Sequence, residues 1–296
     1  MPNTKADAAL TEARDHMMSE RTQQAADAYR RARLFFHESE DLEGEAGALT
    51  QLGDLELHQG RTNAARAAFT EALTLCSQSD SHHHQAEILV RLGDLAHRDG
   101  YLDLARNQFL AAREQFRAAG DSSGEAQALR HLGHLEADEG REDKALDYYA
   151  RARLLAREMG DVRGEASCLK SLAALHARVG HGDRAREAYE RALELFRTNG
   201  DTLGQASMLT GLGSVMRGMG NSAGAITNFT AAAAMFAKGG DLLGEAQALA
   251  ALAALETDQE PGHARRHYNR AAELFARAGA ESDGLACREA ALALAP

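Results

Sequence analysis

The 296-residue chain is 44% hydrophobic, 26% charged and only 5% aromatic, with no Trp, 27 Gly, three Pro and a formal net charge of -11. It is too apolar and too well patterned for a disordered chain, and no apolar run approaches the roughly 20 residues of a membrane span. An acidic chain repels phosphate backbones unless it carries a basic stripe, so neither nucleic acid nor membrane is an expected partner.

The N-terminal stretch is charged and lacks a signal-type apolar segment; its first predicted helix, roughly Lys5 to Ser19, reads as a cap. From there the chain repeats. Gly44, Gly124, Gly164, Gly204, Gly244 and Gly284 recur at one fixed interval or its double, with His84 in the missing place. A second column reads Leu52-Gly53, Leu92-Gly93, Leu132-Gly133, Leu172-Ala173, Leu212-Gly213 and Leu252-Ala253. Alanines follow at Ala25, Ala65, Ala105, Ala145, Ala185 and Ala225, then aromatics at Tyr29, Phe69, Phe109, Tyr149, Tyr189 and Phe229. Both columns slip by one residue after a local deletion near Pro261, to Ala264 and Tyr268. Within a unit the apolar spacing is helical, as at Leu129, Leu132 and Leu135, and no stretch alternates with period two.

Gly60, Gly100, Gly140, Gly180 and Gly220 stand where a first helix must end, since glycine tolerates the left-handed conformation that closes a helix. Gly120-Asp121, Gly160-Asp161, Gly200-Asp201 and Gly240-Asp241 pair such a glycine with an N-cap for the next helix. Each unit is thus helix, tight turn, helix, tight turn, with small residues where helices approach closely and Phe69 filling the space between. The predicted organisation is one domain over 1–296. Seven repeats span approximately 5–40, 41–80, 81–120, 121–160, 161–200, 201–240 and 241–280, and a capping helix spans 281–296.

The Leu-Gly pair, the later Ala, the Tyr/Phe four beyond it and the Ala three beyond that resemble the tetratricopeptide repeat over residues 25 to 275. Three departures stand out. Leu49 and its equivalents replace the usual Trp; the tyrosine expected after the Leu-Gly pair is Glu56, Ala96, Glu136, His176 or Met216; and the closing Pro is absent. The 40-residue variant with lengthened helices looks like the repeats of polarity adaptors and bacterial regulators. The resemblance implies an all-α, right-handed α-α superhelix, or solenoid, of helix-turn-helix repeats whose first helices line a concave groove where partners bind.

Placed in that groove by the Leu-Gly register, the inward columns are those of Thr50, Gln51, Asp54 and Leu57. The candidate partner-binding residues are Asp54, Glu87, Arg91, Asp94, Arg130, His131, His134 and Lys170, with Arg98 beside them as a further cation of the basic middle. They run from acidic to basic and then to small residues at Thr210, Gly211, Ser214, Ala250, Ala251 and Ala254, which suits an extended segment bearing carboxylates. The inward Asn residues of a dicarboxylate clamp are missing.

Asp94 with His97, and His131 with His134, form two i, i+3 pairs on neighbouring first helices and make a candidate zinc set. Closing a tetrahedron between them is demanding, because packed helix axes lie roughly 8–10 Å apart. His82-His83-His84 reads as a surface turn. No nucleophile elbow, phosphate loop or paired-cysteine motif appears, and the many carboxylates read as solvated, so neither an enzyme nor a cofactor is expected. Cys76, Cys168 and Cys287 form no CxxC pair and read as small buried hydrophobes of a reducing compartment, with the cytoplasm the expected location. Leu285, Ala286, Ala290, Ala291, Leu292 and Leu294 give the last helix an apolar outer side that would permit end-to-end self-association. The expected function is a protein-interaction scaffold or adaptor. The alternative is a ligand- or peptide-responsive sensor whose superhelix changes pitch.

Overall fold

A computed structural model describes residues 4–294. It contains fifteen helices and, among the described residues, no strand. The chain divides into two compact units, one ending at Leu155 and the other beginning at Ala156. The first holds α1 (Thr4–Met18), α2 (Thr22–Glu38), α3 (Leu42–His58), α4 (Thr62–Gln78), α5 (His82–Arg98), α6 (Leu102–Ala118), α7 (Ser122–Asp138) and most of α8 (Glu142–Glu158). The second holds α9 (Val162–Arg178), α10 (Gly182–Thr198), α11 (Thr202–Gly218), α12 (Ser222–Gly239), α13 (Leu242–Glu256), α14 (Pro261–Arg277) and α15 (Glu281–Ala293). Among the described residues no helix is long and apolar enough to cross a membrane.

The helices start and stop where the local chemistry directs. Asp121, Asp161, Asp201 and Asp241, and Asp41 with them, accept a hydrogen bond at 2.8–2.9 Å from the backbone N–H three residues on, satisfying a donor that has no partner inside the helix. The connecting turns, except the one that leads into Pro261, place one residue in the left-handed region. Gly60 and Gly140 take φ of +73° and +72° there, but at three turns the position falls to Glu20, Glu40 and Asp80, with φ of 57°, 56° and 52°.

Two ring-on-glycine contacts hold neighbouring helices close. Inside the hairpins, Phe69, Phe109 and Tyr149 lie over Gly53, Gly93 and Gly133, where a Cβ would stand 2.5 Å from a ring carbon. A second contact, absent from the sequence-level pattern, joins successive hairpins. Phe36, Phe116, Phe196 and Phe236, each at the end of a second helix, fill the space that a Cβ on Gly44, Gly124, Gly204 and Gly244 would need. Burying such a ring contributes about 1.5–3 kcal/mol. Where α4 meets α5 both partners change together: the buried Cys76 replaces the ring and His84 replaces the glycine.

The folded chain corrects three expectations. His82, His83 and His84 are not a turn; Ser81 precedes them and they form the first turn of α5. Gly284 does not belong to the Gly44 column. The deletion near Pro261 carries through α15, so Gly284 lies one position further along its helix and faces the backbone of Ala272 and Ala276 rather than a ring.

The third correction concerns the carboxylates, which are not all solvated: Glu45, Glu56, Glu136, Glu165 and Glu245 are buried. A buried carboxylate persists only with cations and donors around it. Glu136 accepts from Arg106 Nε at 3.0 Å and from Arg141. Glu56, in the same column, accepts from Arg30 at 3.3 Å and from Arg61. The two carboxylates thus occupy the column where related repeats carry tyrosine. Burial pushes the Glu136 carboxyl up, but the hydrogen bonds from Arg141 and Arg106 outweigh it and hold it below its usual range.

Candidate functional site

The opening helices of the hairpins, α3, α5 and α7 in the first unit and α9, α11 and α13 in the second, carry every candidate partner-binding residue. Within each unit the repeat register sets residue n of one opening helix beside residue n+37 of the next. In the first unit Arg91 Nε donates to both oxygens of Asp54, at 2.9 and 3.2 Å, and His131 Nδ1 lies 3.0 Å from Asp94 Oδ1. In the second unit the same step joins Lys170 Nζ to Ser207 Oγ at 3.1 Å. The Asp54–Arg91 pair is about one-third exposed on each side chain. An ion pair so exposed adds about 0.2–1 kcal/mol, so its main effect is to cancel charge on the face.

The expected run from acidic to basic is therefore shortened by internal pairing. Arg91 is neutralised by Asp54, and His131 stacks on Phe109, with centroids 5.1 Å apart and planes at 25°, while facing Asp94. His134 Nδ1 lies 2.8 Å from the Tyr149 hydroxyl, and burial first, then the neighbouring Arg130, pushes its pKa down to about 4. His134 is thus neutral near pH 7 and adds no positive charge. Thr50 is buried and turns its hydroxyl back to Ala46 O at 2.9 Å, away from the face. Glu87 lies 3.7 Å from His83. Arg130 is half-buried and makes no ion pair or hydrogen bond among the described residues.

The four candidate zinc ligands separate into different pairs. Asp94 meets His131, His97 Nε2 lies 3.0 Å from Asp138 Oδ2, and His134 meets Tyr149. Among the described residues no group of three or more His, Cys, Asp or Glu side chains is placed to hold a metal ion. Cys76, Cys168 and Cys287 are buried free thiols; burial first, then Glu43 and Glu87, pushes the Cys76 thiol up to about 11, which keeps it protonated and unreactive.

Two open cavities lie on these faces. One of about 400 Å³ in the second unit is lined by small residues such as Gly180, Gly182, Ser214 and Gly218. The other, of about 580 Å³ in the first unit, is lined by Met17, Tyr29, Leu55 and Leu57, with Asp54 and Arg98 among its polar groups. In the sequence Tyr29 reads as one more core aromatic and Arg98 as one cation of a basic stretch. Only the packing of α1, α2, α3 and the end of α5 joins them around one cavity.

Helix hairpins repeated at one fixed interval, with ring-on-glycine packing and polar faces on the opening helices, define an all-α repeat protein of the solenoid class. The tetratricopeptide repeat family profile matches residues 44–118 and 124–198, half of the chain, and the chain belongs to that family. No curated protein matches it in sequence.

Solved structures share the fold at low identity. A tetratricopeptide repeat protein from Parabacteroides merdae is 15% identical, with 97% of this chain and 98% of that chain covered and a TM-score of 0.60. The Rap conjugation gene regulator of the plasmid pLS20, solved in complex with the Phr* peptide, is 16% identical over 98% of this chain and 94% of its own, with a TM-score of 0.60. BtubC (BKLC) from P. vanneervenii is 20% identical over 79% of this chain and 93% of its own, with a TM-score of 0.62.

Proposed function

We propose that the protein is a non-catalytic interaction scaffold that holds a carboxylate-bearing peptide segment of a partner protein along the opening-helix faces. The observation that carries this is Arg130: a half-buried residue whose guanidinium makes no ion pair or hydrogen bond among the described residues, on a face whose other charges are largely paired. An unpaired cation favours an incoming carboxylate, and the charge-assisted hydrogen bond it forms is stronger than a neutral one. Lys170, whose contact to Ser207 is neutral, offers a second cation on the other unit. The test is co-purification from the native cell extract. Recovery of a protein in stoichiometric amount, lost on Arg130→Glu combined with Lys170→Glu, supports the assignment; unchanged recovery refutes it.

A second reading, a peptide-responsive regulator, is favoured by the likeness to the Rap regulator solved with its Phr* peptide. It predicts a change in radius of gyration when a cognate peptide is added, measured by small-angle scattering; an unchanged radius at saturating peptide removes it.

A further inference from the structure

We propose that the cavity of the first unit, about 580 Å³ in volume, is a pocket for an aliphatic group ending in a carboxylate. This rests on the scaffold reading and names the chemistry that the partner segment presents at the N-terminal end of the face.

The floor is apolar, supplied by Met17, Leu55 and Leu57. Tyr29 also lines the cavity; it is only 4% exposed, yet its hydroxyl makes no hydrogen bond among the described residues. Its counterpart in the repeat register, Tyr149, bonds to His134 at 2.8 Å. The register puts Arg14, an exposed residue, in the place of His134, and Arg14 does not bond to Tyr29. With no protein partner, the hydroxyl is left to the open cavity, where a ligand oxygen can accept from it.

The charge of the cavity is equally one-sided. Asp54 lines it too, but both of its oxygens are engaged by Arg91, whereas Arg98 makes no ion pair among the described residues. One unpaired guanidinium and one unpaired hydroxyl above an aliphatic floor fit a single carboxylate on an apolar stem. The volume lies within the roughly 300–1,000 Å³ of small-ligand sites. Such a group has two sources, the end of a peptide or a free short-chain acid.

The test is isothermal titration calorimetry with acetyl-Ala-Leu-Leu bearing a free carboxylate, the same peptide as its amide, and sodium octanoate. The free-carboxylate peptide is expected to bind, and the amide to bind about tenfold more weakly. Arg98→Glu should weaken the acid about tenfold or more, and Tyr29→Phe about threefold. Both variants should melt as the wild type does. Binding of octanoate but not of the peptide assigns the pocket to a free acid; binding of the peptide assigns it to a chain end.

Failure of all probes to bind, or binding indifferent to both Arg98→Glu and Tyr29→Phe, overturns the pocket. That result leaves the scaffold standing if a partner is still lost on Arg130→Glu. Probe binding that depends on Arg98, with no partner recovered from extract, overturns the scaffold and leaves the pocket standing.

Discussion

The Tyr149 hydroxyl lies 2.8 Å from Nδ1 of His134, and this contact accompanies the burial that turns a groove histidine into a neutral group. Burial lowers the His134 pKa from 6.5 to about 4, so between those values the unfolded chain binds a proton that the folded chain refuses. Stability is complete above pH 6.5 and falls as the pH drops toward 4. His134→Gln should remove that part of the acid sensitivity, about 1–2 kcal/mol between pH 6.5 and 4.5. Urea unfolding of both proteins at the two pH values checks it; parallel losses would refute it.

The Phe116–Gly124 contact and its copies leave no room for a methyl group. Gly124→Ala should destabilise by about 1–3 kcal/mol despite the better helix propensity of alanine. Cys76→Phe alone should be destabilising because the repeat register puts the Cβ of His84 where the ring would lie, and His84→Gly in the same chain should restore most of the loss. A double-mutant cycle in thermal unfolding measures the coupling, and additive losses would show that the two positions do not exchange volume.

Glu136 keeps its charge in the core because Arg106 and Arg141 hold it. Arg106→Ala should cost about 1–3 kcal/mol at neutral pH by leaving the buried carboxylate with one arginine. The carboxyl titrates below its usual 4.5, so its contribution is present above pH 4.5 and is lost as the pH falls through the lower folded value. Glu136→Gln should flatten the acid limb of a stability-against-pH curve below that point, and an unchanged limb counts against the network.

Glu40 and Asp80 sit at φ of 56° and 52°, where most other turns use glycine. An L side chain in that region costs about 1 kcal/mol. Glu40→Gly and Asp80→Gly should each stabilise by up to about 0.5 kcal/mol once the greater freedom of glycine in the unfolded chain is counted, read as a raised urea midpoint at unchanged slope. A lowered midpoint for both would mean the side chains contribute more than the backbone strain.

The repeat is legible in the sequence because its determinants are local: a glycine at a left-handed turn, an aspartate three residues before the N–H it caps, apolar residues at helical spacing. Such features depend on backbone conformation and nearest neighbours, and they recur at a fixed interval. Pairings across hairpins are not legible. Nothing in the local pattern says that Phe116 will lie on Gly124, that Asp54 will meet Arg91, or that Glu136 will be buried beneath Arg106, since each depends on how one helix is rotated against another.

The clearest divergence is between His134 and Arg130, four residues apart on α7 and both read from the register as groove cations. Only the packing of Tyr149 and the neighbouring helices leaves the first desolvated and neutral while the second keeps an unpaired charge. Charge on this face is decided by burial and by the partner across the interhelix gap, and both are properties of the tertiary structure. The sequence alone determined the helices, their period and the family; the assembled helices decided which of their polar residues remain available to another molecule.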